Sequence, residues 1–393
     1  MTAATAEVLV VCSLEPWDEV WRRNQHLVSR ILAADEELRV LFVEPPADPL
    51  YDAVHRRAPR PGRGLRSGRD ADTALAHDAA ARLTLYQPTK WLPRRWDSGG
   101  DRRRARGVLR VARRLGPLYA VWINDLALVD ILDLTTAPTL YDVTDDWLAA
   151  RRTQTESARL ARSEARLLAE TATVTVCSPA LAHDKGSVRP DVVVVTNGVD
   201  SAAYTGPVER PRDLGEGPVA LYVGTLHADR LDVDLCARTA RALRRSGGRL
   251  VLVGPDALEG RERHLLEEAG VHLLGAKPFS EIPAYTRSAD VLVVPHVVDQ
   301  FTDSLDPIKL YEYRAARRPV VSTRVAGFRD SRDVLVEAVS SEQFPAHVVA
   351  VTARPVPDQR QIRVPDDLPT WDRQAAVMHE VIRATVAPRD ARP

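Results

Sequence analysis

The sequence predicts an α/β protein built from two Rossmann-like domains. Three observations predict it. Short β-branched runs alternate with helically spaced stretches through both halves of the chain. The length, 393 residues, suits two domains of ordinary size. A Pro/Gly/Glu-rich stretch at 206–218, GPVERPRDLGEGP, reads as a linker and puts a boundary near 200–215.

Composition narrows the function classes. Lys plus Arg and Asp plus Glu both number 54, so the net charge is +0, which argues against a dedicated nucleic-acid binder. Hydrophobic residues make up 45%, enough for real cores. Cys12, Cys177 and Cys236 form no CxxC pair and read as reduced core residues, which points to the cytoplasm. The opening MTAATAEVLVVCSLEPW lacks a basic leader and a long apolar core, so it does not read as a signal peptide. No apolar run approaches the ~20 residues that a membrane span needs.

In the first half, 8–12 reads as a buried strand, 20–34 as a helix and 39–43 as a second strand. There is no GxGxxG after the first strand, so a dinucleotide is not expected. Residues 55–82, rich in Arg, Gly, Pro and Asp, read as a long mobile surface insertion. A short strand follows at 83–86. The segments KWLPRRW and DRRRARGVLRVARRLG are strongly basic, with Val108, Val111, Ala112 and Leu115 on one helical face. This fits a sheet-covering helix with a solvated arginine side, so at most a weak membrane-surface contact is expected. Strands at 119–123 and 139–142 run into Asn124 and Asp125, and into YDVTDDW. Ligands of open α/β sheets sit outside the carboxyl ends of the strands. Asn124, Asp125 and Asp142 are therefore candidate catalytic residues, and Asp145 and Asp146 candidate acceptor contacts. The adjacent Asp145 and Asp146 read as polar site residues or helix N-caps, not as a metal site. Asp232 and Asp234 imitate a DxD in the same way but look like a helix start.

A helix at 155–171 leads to strands at 173–177 and 192–196, then to NGVD at 197–200. The second half repeats the alternation. A strand at 219–223 is followed by GTLHADR, a helix at 233–245 and a strand at 250–253 that ends in Gly254. Strands at 291–294 and 319–323 bracket a polar loop, SLDPIK and a helical stretch. Pro307 suits the first helical turn. The free amides of that turn and the helix dipole favour an anion, and Lys309 adds a full positive charge. Glu312 is one turn further on and can share a face with Lys309. Cation, amides and carboxylate together suit a nucleotide diphosphate, with its phosphates and ribose diol.

The stretch 289–323, ADVLVVPHVVDQFTDSLDPIKLYEYRAARRPVVST, resembles the donor-binding segment of GT-B glycosyltransferases, specifically the retaining family 4. NGVD and VHLLGAKPFSEIPAYTRSADVLVVP are similar to further family segments, and WRRNQHLVSRIL to its opening. The resemblance implies two Rossmann-like domains facing each other across a cleft. It places an acceptor-binding domain at 1–200, a donor-binding domain at 201–368, and a helix at 369–393 that returns to the first domain. It implies a glycosyltransferase that takes a UDP-, GDP- or dTDP-linked sugar, retains anomeric configuration, and needs neither metal nor cofactor. Lys309 would face the diphosphate and count among the catalytic residues. Gly224, Thr225, Arg230, Gly254, Phe279, Ser304, Ile308, Leu310 and Glu312 would line the donor, with Glu312 on the ribose. Arg22 and His26 would approach the acceptor or the diphosphate, or else be ordinary helix-surface residues. The family carries two glutamates eight positions apart. Glu312 matches the second, whereas Ser304 stands in place of the first, with Asp303 and Asp306 out of register. That departure leaves the donor sugar open. It also keeps two other classes in view, a non-catalytic nucleotide-sugar-binding protein and a GT-B sugar-nucleotide epimerase.

Overall fold

The computed structural model describes residues 6–55, 58–70, 75–149, 152–304, 306–355 and 363–387. The chain divides into two compact units, one of residues 1–196 and 371–393 and the other of 197–370. The division falls at 196/197, ahead of the expected 200/201, and the 206–218 stretch lies inside the second unit. Val199 explains why: it is buried in the second unit's core, and its amide donates to the Pro369 carbonyl.

Unit 1 holds β1 (Val8–Cys12), α1 (Arg23–Ala34), β2 (Arg39–Val43), α2 (Pro49–Val54), β3 (Gly64–Ser67), α3 (His77–Arg82), β4 (Leu83–Gln87), α4 (Gly100–Leu115), β5 (Leu118–Ile123), β6 (Thr139–Val143), α5 (Gln154–Glu170), β7 (Thr173–Val176), α6 (Pro179–Gly186) and β8 (Val193–Val194). The sheet order is β3-β4-β2-β1-β5-β6-β7-β8, parallel except for β3 at the edge. Its central strands are β-branched and aliphatic because helices cover both faces. Val8, Leu9, Val10, Val11 and Cys12 are all fully buried.

The 55–82 stretch is not the insertion its composition suggested. Residues 56–57 and 71–74 lie outside the described residues, but β3 pairs antiparallel with β4 and α3 leads directly into β4. The arginines have partners distant in sequence. Arg63 and Arg66 both pair with Glu44, whose side chain is fully buried. Arg82 donates to the Leu32, Asp35 and Leu38 carbonyls around the end of α1. On α4, Ala105, Val108, Leu109 and Ala112 are buried against the sheet, while Arg106, Arg110 and Arg114 face solvent. Among the described residues, no helix is long and apolar enough to cross a membrane.

Unit 2 holds β9 (Val219–Val223), α7 (Val233–Arg245), β10 (Arg249–Val253), α8 (Gly260–Ala269), β11 (His272–Gly275), α9 (Ile282–Ser288), β12 (Val291–Val294), α10 (Ile308–Ala316), β13 (Val320–Thr323), β14 (Val336–Val339) and α11 (Phe344–Thr352). All strand pairs are parallel, in the order β11-β10-β9-β12-β13-β14. Renumbered within the unit this is 3-2-1-4-5-6, the doubly wound nucleotide-binding order. The strand order reverses between β9 and β12, so the loops after those two strands open the crevice where such sheets take a ligand. The last helix, α12 (Trp371–Val386), belongs to unit 1, where Trp371 is buried and stacks on His26 with centroids 4.5 Å apart.

Candidate donor site and the buried network of unit 1

The site of unit 2 starts at the carboxyl end of β9. Gly224 turns the chain there with φ +150°, in the region that favours glycine. A Cβ at this position would lie 3.0 Å from both Lys309 Nζ and the Tyr222 hydroxyl. Gly254, at the end of β10, also has φ +150°, and a Cβ there would lie 2.1 Å from the Gly224 carbonyl oxygen. The two glycines let two backbone turns and the Lys309 side chain share one small space. Thr225 follows Gly224 and is exposed.

The loop from Gly224 to Leu231 is stapled to the segment that follows β12. The Val297 amide donates to the Arg230 carbonyl at 2.8 Å, and the Asp232 amide to the Pro295 carbonyl at 2.9 Å. The Arg230 guanidinium lies over the Phe301 ring, 5.0 Å from its centroid. This staple fixes the cation of the first loop beside the second.

Helix α10 brings in the remaining groups. Pro307 is its N-cap, one position earlier than the first-turn place expected, and the Leu310 amide returns to the Pro307 carbonyl. The entry is held by Asp306, which accepts from the Asn197 amide at 2.6 Å and from the Tyr311 hydroxyl. The Asn197 side chain donates to the Asp306 carbonyl, also at 2.6 Å. The far side is held by Tyr313, whose hydroxyl accepts from the Val223 amide at 2.9 Å. Between these anchors, Ile308 and Lys309 are partly buried and Leu310 is buried.

Among the described residues, neither Lys309 nor Glu312 takes part in an ion pair. Among the described residues no carboxylate pairs with Lys309, whose ammonium instead lies 3.4 Å from the Tyr222 hydroxyl and 4.8 Å above the Tyr222 ring. The Glu312 carboxylate takes part in no ion pair or hydrogen bond among the described residues, and the neighbouring arginines are occupied elsewhere. Arg314 binds Asp333 and Asp367, and Arg317 binds Asp333. Burial of its charged end, then Arg230, brings Lys309 down to about 8, with Glu312 opposing. Burial raises Glu312 to about 7, with Lys309 opposing. Both charges are thus poorly stabilised until a ligand supplies their complements.

A pH dependence follows. A bound diphosphate favours the Lys309 ammonium, and a ribose diol favours the Glu312 carboxylate. Affinity for a nucleoside diphosphate should peak between pH 7 and pH 8. Above pH 8 it should fall by up to about tenfold per unit as Lys309 loses its proton. Titration calorimetry across pH 6–10 checks this, and the alkaline limb should vanish in Lys309→Met.

The other expected donor contacts are more scattered. Phe279 is partly buried on a short turn that follows the edge strand β11. Ser304 ends a turn, Thr302–Ser304, and its side chain lies outside what the structure describes. Asp303 pairs with Arg329. Sequence reasoning passed over Tyr222, His296 and Tyr313. The one signal was an aromatic hydroxyl in an otherwise aliphatic strand, with a histidine just past the end of another.

In unit 1 the structure corrects several assignments. Asp142 is not a free carboxylate. Its side chain is fully buried and receives Arg23 through two nitrogens at 3.2 Å, Thr175 at 2.8 Å, Asn124 at 3.1 Å and Trp122 at 3.2 Å. Five donors saturate a carboxylate's lone pairs, so no acceptor is left for a substrate. Asn124 is equally occupied, accepting from Asn24 at 2.8 Å and donating to the Asp142 carbonyl at 2.9 Å. Asp125 caps a short helical turn, Leu126–Asp133, through the Ala127 amide. Burial, above all, raises its pKa. Asp146 pairs with the buried Lys185 at 3.5 Å, which also binds Glu164 at 3.1 Å. Asp145 is partly buried beside it. Arg22 is the N-cap of α1 and pairs with Asp18 at 3.1 Å. His26 is not on the helix surface. It is 5% exposed, wedged between Trp21 and Trp371, and burial holds it neutral at about 3. Asp232 does start a helix, accepting from the Leu235 amide at the N-terminus of α7. Among the described residues, no group of three or more His, Cys, Asp or Glu is arranged to hold a metal ion.

Comparison with known proteins fits this geometry. Residues 217–353, about four fifths of unit 2, match the family model Glycosyl transferases group 1. TuaH of Bacillus subtilis (strain 168), a glycosyltransferase assigned to teichuronic acid biosynthesis, is 27% identical over 140 residues. That match spans 35% of this chain and only 35% of TuaH. Two solved structures are similar over nearly their whole length. Sucrose-phosphate synthase from Thermosynechococcus elongatus has a TM-score of 0.61 at 16% identity, covering 96% of this chain and 98% of that one. HepE from Anabaena, in complex with UDP, has a TM-score of 0.56 at 14% identity, covering 97% of each chain. The fold is therefore the GT-B fold of glycosyltransferases, with two parallel-sheet units, and the resemblance to the group 1 glycosyl transferases rests on unit 2.

Proposed function

We propose that the chain is a glycosyltransferase that takes a sugar from a nucleotide-diphosphate donor. The observation that carries this is Lys309 over the Gly224 turn, with Glu312 on the same helix and neither in an ion pair among the described residues, at the switch point of a nucleotide-type sheet. Lys309 and Arg230 would neutralise the diphosphate, helped by the amides at the start of α10. Glu312 would accept from the ribose hydroxyls. The family match over unit 2 supports this, as does a structural neighbour that holds UDP. Unit 1 would hold the acceptor, a natural product, surface glycan or lipid-linked precursor. Because the departing phosphate can take the acceptor proton on its own face, retention of configuration needs no protein nucleophile.

The test is release of nucleoside diphosphate from a panel of UDP-, GDP- and dTDP-sugars, with and without candidate acceptors. Acceptor-dependent release is expected. One departure favours a second reading: Ser304 stands where relatives carry a glutamate, which suits a nucleotide-sugar binder that has lost turnover. Binding without release in any combination would support that protein instead, and conversion of the donor sugar without acceptor would support an epimerase. A further outcome concerns metals. With neutralisation assigned to Lys309, Arg230 and helix amides, turnover should survive EDTA. Loss restored by Mg²⁺ or Mn²⁺ would contradict that assignment.

A further inference from the structure

We propose that Tyr222, braced by His296, is a positioning residue that holds the Lys309 ammonium over the Gly224 turn. This rests on the donor-site reading above. A lysine on a four-carbon stem has much rotamer freedom, and ordering it costs conformational entropy. A pre-set ammonium therefore needs a partner that is rigid before the ligand arrives. No carboxylate fills that role among the described residues. Tyr222 does. It sits on the central strand β9, is 1% exposed, and offers Lys309 both its oxygen at 3.4 Å and its ring face at 4.8 Å.

One ordering of the protons satisfies Lys309, Tyr222 and His296 together. An ammonium can donate but not accept, so the Tyr222 oxygen accepts from Lys309. The Tyr222 O–H is then left to donate, and the atom in reach is His296 Nε2 at 3.2 Å. In this ordering that nitrogen is bare and the ring neutral. Burial above all, then Lys309 and Arg230, holds His296 well below its ordinary pKa, which keeps it neutral. Its backbone is fixed from two sides. It bridges Leu231 in the loop after β9, and its carbonyl accepts from Thr323 Oγ1 at 2.8 Å. The staple between the two loops thus also sets the brace behind Tyr222.

The geometry points this pair at the ligand. A Cβ at position 224 would touch Lys309 Nζ and the Tyr222 hydroxyl at the same 3.0 Å, so both lie directly above the bare turn. Tyr222 acts through Lys309 and need not touch the donor. The competing explanation is that Tyr222 is ordinary core whose hydroxyl is merely satisfied by His296. The two differ in which ligand they affect.

The experiment uses the full chain and titration calorimetry. The probes are UDP, GDP and dTDP, and the nucleoside that matches the tightest of them. Tyr222→Phe keeps the ring and the packing and removes only the oxygen. It should weaken the diphosphate about tenfold, near the low end for a hydrogen bond to a charged group, and leave the nucleoside within about twofold. In a Lys309→Met background, Tyr222→Phe should have no further effect, since the two act as one unit. Where Tyr222→Phe does not fold, His296→Leu should show a smaller loss in the same direction, and His296→Gln, which retains an acceptor, should restore affinity. Equal losses for nucleoside and diphosphate, additive losses with Lys309→Met, or no loss at all would overturn the proposal. If Lys309→Met weakens the diphosphate and Tyr222→Phe does not, only this inference falls. If the folded parent binds none of the diphosphates, the donor-site reading falls and takes this one with it.

Discussion

Asp142→Ala should destabilise unit 1 by about 3–5 kcal/mol, the cost of leaving one partner of a buried ion pair alone. The group that loses its carboxylate is Arg23, whose side chain is only 6% exposed. Arg23 also donates to the Thr196 carbonyl, the last residue of the unit's first segment, so the loss should spread to that edge. Replacing both partners, Arg23→Met with Asp142→Leu, should recover part of the loss, because an apolar pair of similar volume costs little. Recovery should be incomplete, since Thr175, Asn124 and Trp122 would still lack their acceptor. The molecule offers a clean readout. All seven tryptophans lie in unit 1, so tryptophan fluorescence during denaturation follows that unit alone. If Asp142→Asn leaves the transition unchanged and abolishes turnover, Asp142 is a catalytic group after all.

Lys309→Ala should lower kcat for acceptor-dependent nucleotide release by about 10²–10³-fold, the usual effect of removing one preorganised donor from a developing charge. Negative charge on the diphosphate grows as the sugar–phosphate bond breaks, so the ammonium contributes more in the transition state than in the bound donor. Binding of the nucleoside diphosphate should weaken as well, and binding of the bare nucleoside should not. The substitution should cost little stability, because Lys309 pairs with no carboxylate among the described residues and its charge is already disfavoured by burial. A fall in affinity for nucleoside and diphosphate alike would mean that Lys309 shapes the site without facing the phosphates.

The fold was legible because its signals are local. Aliphatic strands buried on both faces stand out as runs such as VLVV at 291–294, and the stretches between them keep helical spacing. That Lys309 and Glu312 lie on one helix, about a turn apart, could be read for the same reason. What failed depends on contacts distant in sequence. Asp142 lies at the carboxyl end of a strand, one residue before its last, which alone suggests a ligand contact, but its main partner is 119 residues earlier. The arginines at 63 and 66 look like an unstructured charge run until Glu44 is seen between them. His26 has the spacing of a helix surface, yet α12 brings Trp371 onto it from the far end of the chain. Asp306 was set aside as out of register for a glutamate site, and its role is to lock the entry of α10 to Asn197.

The most direct measurement is calorimetric titration of UDP, GDP and dTDP, with the matching monophosphates, into the parent protein and Glu312→Ala at pH 7.5. A carboxylate that accepts from the ribose diol gains charged hydrogen bonding, and a net loss of one such bond costs roughly 1.5–3 kcal/mol. The parent should bind at least one diphosphate, and Glu312→Ala should bind it about ten- to a hundredfold more weakly. The matching monophosphate should weaken to the same degree, because it carries the same ribose. Equal affinity in the two proteins, or no binding by the parent, would contradict the assignment of unit 2 as a nucleotide-sugar site.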